Sequence, residues 1–160
     1  MKRSIVHWFA AKVKPRTEKK IKAYLEAKGI EHCILFRDEE PVLPGIVFIR
    51  ANYEQVLSIS AASGLTMSYL YDAASKQFQI IPDKQITDFR FLHQYSDRTF
   101  VLPNPENLQG GEKVRVIKGE FAGIEGELYR IKGHKRVVVR VEGLVSLATT
   151  YIPKECLERI

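Results

Sequence analysis

The chain has 160 residues, of which 45% are hydrophobic and 28% charged, and a formal net charge of +6. That length builds one full core or two small ones, and no apolar run approaches the ~20 residues that a membrane-spanning helix needs. The basic start MKRS meets Lys12 and Lys14 again too soon for a signal-peptide core and lacks a small-residue cleavage site, so a cytoplasmic protein without a membrane partner is expected.

Ser4 to Val13 reads as a strand containing His7-Trp8-Phe9, closed by Pro15, whose ring suits the opening of a helix. Arg16 to Lys28 carries Ile21, Tyr24 and Leu25 at helical spacing and stops at Gly29. His32 to Arg37 reads as a second strand and Asp38 to Pro41 as an acidic turn. Gly45 to Arg50 is a buried strand, too short for a helix, and Tyr53 to Ala62 forms a helix on Val56, Leu57 and Ile59. Met67–Tyr71 and Gln77–Ile81 are short strands around the turn Asp72–Lys76, and Pro82–His93 is a third helix on Ile86, Phe89 and Leu92. This order predicts an α+β layer, an antiparallel sheet with helices on one face.

Gln94 to Gln109, with Pro103, Asn104, Pro105 and Asn107, has no sustained periodicity and reads as a linker. Only strands follow: Lys113–Lys118, Ile124–Ile131, Arg136–Glu142, Leu144–Ile152 and a short ending at Cys156–Ile160. Glycines at 119, 123 and 126 mark a tight turn between the first two of these, and four to five strands in so short a stretch fit a small closed barrel. The expected domains are therefore residues 1–93 and 110–160, joined by the linker 94–109.

Catalytic patterns are missing. The four histidines are scattered, and Asp38, Glu39 and Glu40 form an acidic cluster without His or Cys nearby. Cys33 and Cys156 belong to no CxxC or Cys/His cluster, which argues against a disulfide framework and a zinc site. There is no P-loop, no GxGxxG and no GxSxG. We therefore expect no enzyme, metal or cofactor. Surface chemistry is better represented. Between Lys12 and Lys28 the basic residues Lys12, Lys14, Arg16, Lys19, Lys20, Lys22 and Lys28 face only Glu18 and Glu26, a field that suits a polyanion, although a solvated helix face has the same composition. Trp8 and Phe9, being consecutive, point to opposite faces of their sheet, while Ile46 and Phe48 share one face. Large apolar groups on a face not covered by helices would mark a partner site.

These pieces resemble the NusG family of transcription elongation factors, within it the specialised antitermination paralogues of the RfaH and UpxY type. The N-terminal half matches in His7-Trp8-Phe9, Leu43 to Ile49, Ser68-Tyr69-Leu70 and Ile81 to Ile86; the C-terminal half matches the KOW motif in Gly111 to Val116, Gly119, Phe121, Gly123 and Gly126. The resemblance implies a ferredoxin-like NGN domain followed by a small all-β, SH3-like KOW barrel. It implies a monomeric, non-enzymatic factor that docks on the clamp helices of RNA polymerase and suppresses pausing or termination. Carried over, the docking depression would use Phe9, Pro44, Ile46, Phe48 and Tyr69. Lys14, Arg16, Lys19 and Lys20 would lie toward upstream or non-template DNA, and the KOW domain would recruit a further partner, such as a small-subunit ribosomal protein. Three positions depart from the family pattern: Lys12 replaces a tyrosine at the depression's edge, Leu57-Ser58-Ile59-Ser60 replaces a His-Thr-Thr motif, and Glu142 replaces a phenylalanine that helps bind Rho. The last favours the antiterminator over a housekeeping NusG coupling polymerase to Rho or the ribosome; an RNA- or ribosome-binding KOW protein is the third reading. Val137-Val138-Val139, Val141 and Val145 favour a constitutive β-barrel over a helical alternative.

Overall fold

The computed structural model describes residues 5–95, 97–102, 111–141 and 144–160. The chain forms two compact units, Met1–Asp83 and Lys84–Ile160.

The first unit is built on β1 (His7–Val13), which pairs antiparallel along its length with β5 (Ile46–Ala51). Beyond β5 lies β2 (Glu31–Cys33). On its other side β1 meets two partners in turn: β6 (Met67–Tyr69) beside Ala11–Val13, and β9 (Ile80–Ile81) beside Trp8 and Phe9. Between β6 and β9 the chain leaves the sheet as a hairpin of β7 (Tyr71–Asp72) and β8 (Gln77–Phe78). The stretch expected as one strand, His32–Arg37, is split. Its second half is β3 (Phe36–Arg37), which folds onto β4 (Glu40–Pro41) because Asp38 and Glu39 both adopt positive φ, 50° and 66°. Two left-handed residues between strands match their twist, so a turn displaces what alternation reads as continuous.

Two helices cover one face of this sheet. Helix α1 (Glu18–Ala27) buries Ile21 and Leu25, and α2 (Tyr53–Ala62) buries Val56 and Ile59; they join Phe9, Ala11, Val13, Val47, Ile49 and Ala51 in one core. Helix α2 starts where it does because the Asn52 side chain accepts from the Gln55 N–H while the Gln55 side chain accepts from the Asn52 N–H, a capping box.

The second unit begins one residue into α3 (Asp83–His93), whose Ile86, Phe89 and Leu92 are buried. Nearly all of α3, expected in the first domain, thus belongs to the β-rich unit. The antiparallel sheet that follows runs β10 (Phe100–Val101), β14 (Val145–Ala148), β13 (His134–Val141), β12 (Glu125–Ile131), β11 (Glu112–Val116) and β15 (Leu157–Arg159). Phe100 and Val101, within the segment expected as linker, pair with Ala148 and Leu147. Ser96 and residues 103–109 of that segment lie outside the described residues, as do Gly110 and Glu142. Val137, Val138 and Val139 are all buried, which explains why this strand reads as an uninterrupted β-branched run. Among the described residues, no helix is long and apolar enough to cross a membrane.

Candidate functional site

The register of β1 decides which side chains of the first unit can act together. Ala10 faces Phe48, Lys12 faces Ile46 and Trp8 faces Arg50, so Trp8, Ala10, Lys12, Ile46, Phe48 and Arg50 share the face turned away from α1 and α2. Phe9 pairs with Ile49 and Ala11 with Tyr69, on the helix-covered face. The five expected docking residues therefore divide. Phe9 and Tyr69 lie under the helices, Ile46 and Phe48 on the opposite face, and exposed Pro44 in the loop before β5.

This corrects the expectation of one depression. Phe9 is 4% exposed and belongs to an aromatic cluster, edge-on to Phe78 at 6.4 Å between centroids; Tyr69 lies 5.1 Å and Tyr53 5.5 Å from the same Phe78 ring. The Tyr69 hydroxyl is buried without a hydrogen-bond partner among the described residues, and that burial pushes its phenol pKa upward. Phe9 is core, whereas the half-buried rings of Tyr53 and Phe78 line, with Phe9, an open cavity that His7, Lys76 and Ile80 complete. Phe48, 1% exposed, is also buried. Accessible on the second face is a row of half-buried Ile46 beside exposed Lys12, which in turn pairs with exposed Ser68.

The loop that delivers Ile46 is rigidly built. Leu43 O accepts from the Ile46 N–H at 3.2 Å, with Pro44 and Gly45 between them and Gly45 at φ 78°, the residues and the sign that a type II turn requires. An added Cβ at Gly45 would come within 3.1 Å of the Val13 carbonyl oxygen. The remaining Gly45 N–H donates to Glu18 Oε2 at 2.8 Å. Glu18 is 2% exposed at the first turn of α1, so its carboxylate ties the helix start to the Pro44-Gly45 turn. Sequence reasoning missed this residue, counting it only as one of two acids in a basic run.

Lys14, Arg16, Lys19 and Lys20 are all exposed. Lys19 approaches Glu39 at 3.8 Å, a pair so open to solvent that it stabilises little. Of the altered His-Thr-Thr region, Leu57 and Ser58 are exposed, whereas Ile59 is core.

In the second unit the KOW-type residues are structural. Gly119 and Gly123 have φ of 90° and 101°, and the Gly123 N–H donates to Val116 O at 2.8 Å, folding the turn back on β11. Phe121 is buried edge-on to Tyr95 at 5.2 Å. A Cβ on Gly126 would meet the Val138 carbonyl oxygen at 2.4 Å, so β12 can approach β13 here only without a side chain. Helix α3 grips the same turn. Lys84 Nζ donates to Gly123 O at 2.6 Å and to Asp88 Oδ1 at 2.5 Å, while Asp88 Oδ2 accepts from the Glu125 N–H at 3.2 Å. Desolvation holds the buried Asp88 carboxyl above its ordinary pKa, and the Lys84 and backbone hydrogen bonds oppose it.

No group of three or more His, Cys, Asp or Glu side chains is arranged to hold a metal among the described residues, and Cys33 and Cys156 are free thiols.

The family model described as NusG, transcription termination factor nusG, matches residues 6–90, more than half of the chain. Among solved structures, one titled "Domain interaction in Thermotoga maritima NusG" superposes with a TM-score of 0.54 at 17% identity, covering 98% of each chain. The MjSpt4:Spt5 complex in its conformation A matches at a TM-score of 0.35 and 18% identity, over 96% of this chain and 97% of the other. A search of curated proteins finds no match. The chain belongs to the NusG family of transcription factors.

Proposed function

We propose that this protein is an elongation and antitermination factor that docks on the clamp helices of RNA polymerase through the second face of its first unit. The observation that carries this reading is the row of Ile46, Lys12 and Ser68 beside Pro44. It places an apolar anchor next to a cation on a surface fixed in advance by the type II turn and by Glu18. A preformed anchor loses little conformational entropy on binding, and an apolar residue flanked by charge suits the side of an amphipathic helix. Phe48 and Trp8 share this face but are buried, so the accessible anchor is Ile46. Lys14, Arg16 and Lys20 then provide exposed cations for upstream or non-template DNA, contributing affinity without sequence readout. The second unit recruits a further partner, the factor acts as a cytoplasmic monomer, and no bound cofactor takes part.

The test is retention of the full chain by purified RNA polymerase, with pausing and terminator read-through measured with and without Rho. Ile46→Glu places a charge at the anchor and is expected to weaken retention at least tenfold, a typical hot-spot loss. Phe9→Leu, a change on the helix-covered face, is expected to lower stability and leave retention of the folded protein intact. Undiminished retention of Ile46→Glu would sink the docking assignment, and increased termination with Rho would sink the antiterminator reading.

A further inference from the structure

We infer that the open cavity over Phe9 is a binding site for a small aromatic carboxylate, on the face of the first unit opposite to the proposed docking row. It exists because the helix layer stops short of the sheet's edge. His7 and Phe9 alternate onto the helix-covered face, and Ile80 of β9 pairs with Phe9, so these three side chains lie on one surface. Helix α2 begins at Tyr53 and leaves Ile80 49% exposed. The β7–β8 hairpin closes the far side with Phe78, leaving a cavity of about 600 Å³. That volume lies within the range of small-molecule sites and exceeds any one side chain.

Its walls suit a flat ring. Phe78 is tilted 39° from Tyr53 at 5.5 Å between centroids and stands edge-on to Phe9, while His7 is edge-on to Phe9 at 6.3 Å. A planar guest can therefore meet one wall offset-stacked and another edge-on, two arrangements that an aliphatic chain forfeits. Tyr53, Phe78 and His7 are only half-buried in the free protein, so such a guest removes further apolar surface from water.

The charge at the mouth selects the head group. None of the eight residues lining the cavity is acidic; Lys76 supplies a permanent cation and Gln77 an amide donor beside it. Lys76 is exposed and has no carboxylate partner among the described residues, since Asp72, the acid of the same hairpin, accepts the Ala74 N–H instead. The Lys76 backbone is fixed at the rim, with φ 58° and its N–H donating to Asp72 O at 2.8 Å. One lysine matches one negative charge. A phosphate ester would bring nearly two charges to a single cation, and an uncharged ring would leave Lys76 unused, so the guest is an aromatic monoanion.

The experiment is a ligand-observed NMR titration of the full chain with indole-3-acetate, its neutral isostere indole-3-acetamide, and octanoate. Indole-3-acetate is expected to bind with a dissociation constant of about 1 mM or tighter, the ordinary yield of about 13 heavy atoms. It is expected to bind about fourfold more tightly than the amide, through its charge, and about fivefold more tightly than octanoate, through its ring. Lys76→Asn suits the left-handed backbone and so keeps the fold. This variant is expected to lose the preference for the acetate over the amide and to hold the amide as wild type does. Tyr53→Leu is expected to weaken both indoles about fivefold and leave octanoate unchanged. Ile46→Glu, on the opposite face, is expected to bind all three as wild type does, which separates this site from the docking row. The proposal is overturned if indole-3-acetate shows no saturable binding up to about 5 mM, if octanoate binds as tightly, if Lys76→Asn keeps the preference for the acetate, or if Ile46→Glu removes binding.

Discussion

Glu18 offers a test of how the fold supports its docking face. Its carboxylate accepts the Gly45 N–H at 2.8 Å in a site only 2% exposed. Glu18→Ala removes a hydrogen bond to a charged acceptor, worth about 1.5–3 kcal/mol, and leaves a buried N–H unsatisfied. It also removes one buried methylene, about 0.8 kcal/mol, while relieving the cost of burying the charge. A net loss of about 2–3 kcal/mol is expected, which for a unit the size of Met1–Asp83 lowers Tm by about 8–24 °C. Glu18→Gln keeps the shape and a neutral acceptor, so about 1 kcal/mol is lost. The competing account is that Glu18 merely places a negative charge at the start of α1. That effect is about 0.5 kcal/mol and is removed equally by either substitution. Thermal melts monitored by circular dichroism separate the two accounts. If the alanine and glutamine variants both lie within about 3 °C of wild type, the carboxylate does not hold the Pro44-Gly45 turn and the reasoning fails.

Two further outcomes follow from the second unit. Gly126→Ala should cost about 3 kcal/mol in a denaturation series, because its Cβ would meet the Val138 backbone at 2.4 Å; Gly119→Ala, which meets nothing within 4 Å, should cost only about 1 kcal/mol for its positive φ. Asp88, whose folded pKa is raised, binds its proton more tightly in the folded protein than in the unfolded chain, so its contribution is full below about pH 4 and is lost as pH rises through the folded value. Asp88→Asn should therefore gain stability relative to wild type as pH rises from about 4 toward neutrality; a constant difference between the two melting curves would refute the assignment.

Where local chemistry and long-range packing agree, the elements are readable from residues alone. Helix α2 is one case, with apolar spacing and an Asn52–Gln55 cap that confine it to Tyr53–Ala62. The β-branched strand β13 and the glycines before it are another. The β3–β4 hairpin was hidden because Asp38 and Glu39 adopt left-handed backbone without glycine or asparagine to announce it. Strand β10 was hidden because two residues carry no periodicity. The docking face was half legible. Alternation separates Trp8 from Phe9, but only the register with β5 shows that Phe9 goes with Ile49 and leaves Ile46 on the other side. Glu18 was illegible, since its partner is a backbone N–H 27 residues away.

The way β1 shares one edge between β6 and β9 has a practical consequence. The β7–β8 hairpin leaves and re-enters the sheet at positions fixed by pairing with β1, and its tip is closed locally, with the Lys76 N–H donating to Asp72 O at 2.8 Å and the Ala74 N–H to Asp72 Oδ1 at 3.0 Å. Extra residues between Ala74 and Ser75 would lengthen the excursion without shifting either register. Doubling such a loop costs only about 0.6 kcal/mol in closure entropy. This tip is thus an insertion port, a place where a tag or a whole recognition module can be added while the central strand keeps every partner it has.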